Sequence, residues 1–272
     1  MFDYSKSEQY ILSIRLSADG FYFSVFDPVH EKFVYSCQKK LDTSLTYTGN
    51  VKQAFKELEF LSNTYKHVYV LSVDKRFTLV PLELFEEDQT QVVFNFNYSK
   101  KENEEVCTNM LVNNSCAVLY GVDKSALALI KNQYPDAVSV SQTAVLVEYF
   151  SLKSRAVLYK QMFVGLRKGS LDLYCFDRGY VSLVNSYDCK AATDYSYYTL
   201  FVWSQLGMDQ KRDKMYVTGN IPEKSNLLEI LRTYVENISV LTAEAAFDFS
   251  FADNARNVPF DVQVLMSQRG QL

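Results

Sequence analysis

Two short segments carry the residues with most chemical potential. In Ile14-Arg15-Leu16-Ser17-Ala18-Asp19-Gly20 a cation precedes a carboxylate and a glycine, and in Leu166-Arg167-Lys168-Gly169-Ser170 cations precede a glycine. Arg15 and Lys168 could together draw in an anion, and Asp19 could hold a divalent metal beside it. An anion site needs only positive charge and N–H groups, whereas hydrolysis of a phosphate also needs a placed metal and an activated water. Simpler readings stand beside these. Asp19-Gly20 has the composition of a tight hairpin turn. Arg15 would then lie on the exposed side of an alternating strand, and Lys168 in a solvated turn.

Other familiar chemistries are missing. His30 and His67 have no second His or Cys at metal-ligand spacing. The G-x-S-x-G, H-E-x-x-H, G-x-x-x-x-G-K-[ST] and G-x-G-x-x-G motifs are absent, which removes the common hydrolase, metalloprotease and dinucleotide readings. The five cysteines include no C-x-x-C pair and sit in apolar strand contexts, as small core residues of a reducing compartment do. Glu83, Glu86 and Glu87 read as solvated surface.

The elements that must position the two segments repeat. "ADGFYFSVFD" and "GSLDLYCFDR" each read as a turn followed by an alternating strand ending in Phe-Asp, and Phe26-Asp27 lies 150 positions before Phe176-Asp177. Leu16 with Leu166, Phe21 with Leu171, Phe23 with Leu173 and Val25 with Cys175 fall on the same offset. Around each lies a three-stranded meander, then a helix (behind an Asn50 cap in the first half, ended by Gly207 in the second), then a short apolar strand, His67–Val73 or Lys214–Gly219. Between the halves, residues 92–98 and 105–120 read as strands. Asp123 caps a helix that Pro135 stops, and 137–150 reads as a strand turning into a helix. The segment from Pro222 reads as a helix, and the tail from Phe247 gives no clear pattern. Two matched runs of strand, strand, strand, helix, strand predict one structural unit used twice.

Composition sets the remaining bounds. At 272 residues, 48% of them apolar, the chain has material for two packed parts, and a net charge of −4 argues against a nucleic-acid surface. No apolar run approaches the roughly 18 residues of a membrane span, and the start lacks the pattern of a signal peptide, so a cytoplasmic protein is expected. Tyr and Phe are abundant, 20 and 19 against one Trp. Tyr195, Tyr197 and Tyr198 sit where the second helix begins, serving either partner contact or the boundary of a large sheet.

A repeated βββαβα unit of this kind resembles the actin-like ATPase superfamily, with two ribonuclease-H-like subdomains facing each other across a nucleotide cleft. The resemblance spans roughly Tyr10 to Leu241 and rests on order and pattern. It is nearest to the pilus-assembly and secretion-platform members, whose first half carries an inserted strand–helix–strand segment, and to an uncharacterised bacterial family assigned this fold. It implies an α/β chain with subdomain I at 1–156, an insert at about 92–147, and subdomain II at 157–272.

In that superfamily each first hairpin carries a phosphate loop with an Asp for Mg²⁺ and a glycine that admits the phosphate. Carried over by register, Arg15 and Gly165 stand at the acid positions, and Ser17 and Arg167 at the glycine positions. The third motif, a Gly-Gly turn against the adenosine, corresponds to Gly219 and Asn220, where packing alone would also keep the turn. The resemblance thus implies as cleft residues Arg15, Ser17, Asp19, Gly20, Lys168, Gly169, Ser170, Gly219 and Asn220. Both metal-facing acids are missing. The expectation is a non-catalytic protein-interaction or scaffold module without cofactor, with a protein partner and no nucleic acid. The alternative is an ATP/Mg-dependent ATPase or sugar-phosphate-binding kinase with displaced ligands.

Overall fold

The first hairpin, β1 (Ile11–Ser17) and β2 (Gly20–Asp27), is buried along almost its whole length, although its sequence alternates as if one face met water. In this computed structural model, which describes residues 3–219, 221–242, 246–247, 255 and 257–268, the reason is that the sheet is covered on both faces. The small polar residues of the alternation are satisfied inside it: the hydroxyls of Ser13 and Ser24 meet across the hairpin at 2.8 Å. β3 (Lys32–Lys39) adds to β2, and α1 (Tyr47–Glu57) leads to β4 (His67–Val73), which joins β1 in parallel. Thr46 caps α1 by accepting from the Gly49 N–H at 3.0 Å. Asn50, the expected cap, is instead buried within the first turn and ties Asp42 to it through its amide.

An insertion follows, made of β5 (Phe77–Pro81), α2 (Thr90–Asn97), β6 (Glu104–Leu111) and β7 (Cys116–Asp123). Its strands form a separate sheet in the order β5-β7-β6. The segment 92–98, expected as a strand, is mostly the short helix α2. Its β-branched and aromatic residues suggested a strand, but only Phe94 is buried, packing on Val80 and Leu119. The segment 105–120 is two strands, broken where Ser115 turns at φ 51°. α3 (Lys124–Gln133) starts at Asp123, whose carboxylate accepts from the Ala126 N–H at 2.8 Å, as the sequence predicts. β8 (Val138–Ser141) and α4 (Gln142–Arg155) come next.

The second meander is β9 (Lys160–Arg167), β10 (Ser170–Asp177) and β11 (Tyr180–Asp188). α5 (Ala192–Gln205), β12 (Lys214–Gly219), α6 (Lys224–Arg232) and β13 (Ile238–Val240) complete it, and α7 (Phe260–Ser267) follows near the end of the chain. The large sheets run β3-β2-β1-β4-β8 and β11-β10-β9-β12-β13, the same order twice. The register is also the same. Leu16 faces Phe21 as Leu166 faces Leu171, and each sheet slips by a bulge at the same place, Val25/Phe26 and Cys175/Phe176.

The compact units follow packing rather than chain order: Met1–Val145 with Phe247–Leu272 form one, and Leu146–Ala246 the other. In the first, Phe21 and Phe23 meet Tyr47 of α1 and Phe60 at 5.2 and 6.3 Å between ring centres. Tyr22 donates to the Asn257 carbonyl at 3.0 Å, and the buried helix α7 follows that residue. In the second, Met162, Val164, Leu166, Leu171, Leu173 and Cys175 pack with α5 and α6. The remaining rings of that sheet stack with the end of α4, Phe150 on Phe163 at 4.0 Å and Phe163 on Tyr216 at 4.9 Å. Each fully buried Phe or Leu of these cores contributes about 1.5–3 kcal/mol.

Candidate functional site

The first candidate loop is the β1–β2 turn. Ser17 pairs with Gly20, so the turn residues are Ala18 and Asp19, both exposed. The hairpin expected at Asp19-Gly20 is therefore displaced by one residue. Gly20 opens β2 at φ 140°, and a Cβ there would lie 2.9 Å from the Lys39 carbonyl, so the glycine serves a close approach of β3. Ser17 is buried between Gly20 and Val73.

Arg15 is not on an exposed face. Its Nε donates to both carboxylate oxygens of Asp261 on α7, at 3.0 and 2.8 Å, and the two side chains are only 11% and 3% exposed. Asp261 also accepts from the Gln142 amide at 2.9 Å and from the Val262 N–H at 2.8 Å. Arg15 is thus already paired with a carboxylate. Nearby charge is acidic: the Tyr47 hydroxyl is pushed well up by burial first, then by the carboxylates of Asp123 and Asp74, with Arg15 opposing and Asp19 adding to the rise.

The second loop is the β9–β10 turn, Lys168-Gly169, with Ser170 buried at the start of β10 and Lys168 exposed. Arg167 closes a two-pronged pair with Asp172, Nε to Oδ2 and Nη2 to Oδ1, both at 2.7 Å. Asp172 stands opposite Gly165 across the strands and also accepts from the Ser186 hydroxyl at 2.6 Å. A Cβ at Gly165 would meet that of Asp172 at 3.4 Å, an ordinary van der Waals contact. The Gly169 N–H, the kind of donor a phosphate would use, goes to the Tyr195 hydroxyl at 3.0 Å, which in turn donates to the Arg167 carbonyl at 2.9 Å. Burial raises the Tyr195 hydroxyl, keeping the proton this bridge requires.

The third turn begins at Gly219, with φ 83°, and Asn220 lies outside the described residues. A Cβ on Gly219 would run into the Leu166 backbone, so the glycine permits β12 to lie against β9. Its carbonyl accepts from the Lys224 ammonium at 2.7 Å, and burial lowers that amine from its ordinary value.

The structure therefore groups Arg15, Ser17, Asp19 and Gly20 in one hairpin of the first unit. It groups Lys168, Gly169, Ser170 and Gly219 around β9 in the second. Of the residues that close these loops, Asp261 and Asp172 were not singled out from the sequence, and Tyr195 was read there for partner contact or the boundary of a sheet, not for closing a loop. Asp172 left a signal, an acid inside the apolar run Leu171-Asp172-Leu173, and Asp261 left none near Arg15. Among the described residues no three His, Cys, Asp or Glu side chains come together as a metal site. Guanidinium groups in ion pairs, and Cβ atoms at Ser17 and Arg167, do not fit a Mg-bound triphosphate held by loop acids and glycines.

A family model described as a protein of unknown function (DUF3822) matches residues 1–238. Among solved structures, a Bacteroides thetaiotaomicron protein described as having an actin-like ATPase fold and unknown function is 40% identical. The match covers 98% of this chain and 99% of that one, with a TM-score of 0.86. The PilM–PilN type IV pilus biogenesis complex is similar at 12% identity, over 96% of this chain and 98% of that one, with a TM-score of 0.58. No curated protein matches.

Proposed function

Because the chain belongs to the DUF3822 family and has the actin-like ATPase fold, we propose that it is a non-catalytic, cytoplasmic protein-interaction module whose phosphate loops have become internal structure. One observation carries the reading. In each loop an arginine stands where the superfamily places an acid or a glycine, and each arginine is consumed by a buried carboxylate, Asp261 or Asp172. The repeated strand order, register and bulge support one unit used twice, with the nucleotide chemistry replaced separately in each copy. The same fold in PilM has been solved with PilN, a protein partner, which agrees with a use of this fold in assembly. No helix among the described residues is long and apolar enough to cross a membrane.

The test is calorimetric titration with ATP, with and without Mg²⁺, beside a phosphate-release assay on the unmodified chain. The expected outcome is no turnover and no metal-dependent binding tighter than about 1 mM, a standard free energy of about −4.1 kcal/mol. Micromolar, Mg-dependent binding with steady phosphate release would overturn the module reading in favour of an ATPase or kinase with displaced ligands.

A further inference from the structure

The insertion displays apolar residues that its own packing does not use. On α2, Phe96 is 91% exposed and Val92 63%, one turn apart on the face away from Phe94, and Leu84 before the helix is 72% exposed. A helix of eight residues is marginal by itself, and α2 buries only Phe94. Arg76 holds it in place. The Arg76 Nε and Nη2 donate to the two carboxylate oxygens of Glu104 at 2.8 and 2.7 Å, and Nη2 also donates to the Ser99 carbonyl at 2.6 Å. The guanidinium lies 5.6 Å from the centre of the Phe94 ring and 5.0 Å from that of Tyr98. Tyr98 in turn donates to the Phe77 carbonyl at 2.6 Å. This clamp fixes α2 on the insertion while Val92 and Phe96 stay in solvent.

We propose that this face docks an amphipathic helical segment of a partner protein whose apolar side is bordered by lysine or arginine, a proposal that rests on the reading of the chain as a protein-interaction module. Spacing and charge select the occupant. Val92 and Phe96, at i and i+4, form a short ridge of the kind that seats against the ridges of a second helix. Glu83, Glu86, Glu87 and Asp88 precede it, all exposed, and none of their carboxylates has an ion pair or hydrogen bond among the described residues. Glu87 and Asp88 also suit the N-terminal end of α2, a use that does not extend to Glu83 and Glu86. Cations bordering an apolar helix would pair with these acids and set its orientation. A second copy brings no such border. Beyond the other end of α2, Lys100 and Lys101 stand with Glu102 and Glu104, and Lys101 pairs with Glu104 at 4.0 Å. An anionic membrane would be repelled by the same four acids.

Fluorescence anisotropy of a labelled amphipathic leucine–lysine peptide of about 14 residues, long enough to form a helix, tests this on the full chain. Binding is expected at about 10 μM, and a leucine–glutamate peptide of the same pattern is expected not to bind. Phe96→Ser is expected to weaken binding about tenfold, as loss of an anchor ring does, with unchanged circular dichroism and melting. Glu86→Lys combined with Glu87→Lys is expected to weaken it similarly and to remove most of its salt dependence. Phe201→Ser, an exposed aromatic of the other unit, is expected to leave binding alone. A leucine–lysine peptide that does not bind, or that binds Phe96→Ser equally well, overturns the proposal. So does a Phe96→Ser variant that instead loses self-association in ultracentrifugation, or loses binding to phosphatidylglycerol vesicles. Each of these failures strikes this surface alone, because the module reading is decided by the nucleotide titration.

Discussion

The two large sheets share strand order, hairpin register and bulge position, yet their loops are closed over very different distances along the chain. Arg15 finds its carboxylate 246 residues away, on α7. Arg167 finds its own five residues away, across one hairpin. Backbone architecture therefore does not dictate how a charged position in the loop is paired. In the second unit a local pair suffices, whereas in the first the same region is closed only by tertiary packing.

The strongest way to break this comparison is to remove each carboxylate in turn. Asp261→Ala leaves a nearly buried guanidinium without its partner and is expected to cost about 3–5 kcal/mol, the range for breaking a buried pair. The loss should appear in urea unfolding, with amide exchange accelerating in α7 and in β1 together. Asp172→Ala is expected to cost less, about 2–3 kcal/mol, because leaving one hydrogen-bonded charge group unmet is the main penalty and the hairpin can readjust. Its exchange effects should stay within β9, β10 and β11. Equal, global effects from both variants would show that the two closures are not different in kind.

A second test concerns the parallel strand of each sheet. By register with Leu16 and Leu166, Ser72 corresponds to Gly219, yet only Gly219 has a positive φ and no room for a Cβ. Gly219→Ala is expected to destabilise by about 1–3 kcal/mol from backbone strain, whereas Ser72→Ala should cost less than 1.5 kcal/mol, one lost hydrogen bond at most. Thermal melts of the two variants compare them directly.

The smallest expected effect lies at the repeated Phe-Asp. Burial alone would raise the Asp27 carboxyl, but the His30 ring and the His30 and Val29 N–H groups hold it below its ordinary value. A lowered folded-state value contributes stability above the unfolded value of about 3.9, and that contribution is lost as pH falls through the folded value. Asp27→Asn should therefore destabilise the chain at neutral pH and make little difference in strong acid. Urea midpoints across that acid range measure it, and equal destabilisation at every pH would remove the carboxylate from the account.

These contrasts also explain what could be read from the chain. The alternating strands of the two meanders, the Asp123 cap and the stop at Gly207 are signals within a few residues, and they appear in the fold as read. The β1–β2 turn was misplaced by one residue because Asp-Gly composition does not reveal that β3 needs a glycine at the first residue of β2. α2 was read as a strand because its β-branched and aromatic residues outweigh a single buried face at Phe94. Arg15 was placed on an exposed face because its partner lies on a helix whose residues are apolar or buried on every side and so show no periodic stripe. The two hairpin loops were legible by register, but the residues that close them were legible only where, as at Asp172, the partner is close in sequence.

The distribution of residues between the units has a consequence for synthesis. The second unit is one continuous stretch, Leu146–Ala246, while the first also requires Phe247–Leu272. A ribosome delivers the chain from the N-terminus at about 5–20 residues per second. The first unit's strands emerge earliest, yet they wait for the last helix, with Arg15 still lacking its carboxylate. The part made first is thus finished last, and a chaperone that shields nascent strands would find its longest-lived client in β1 and β2.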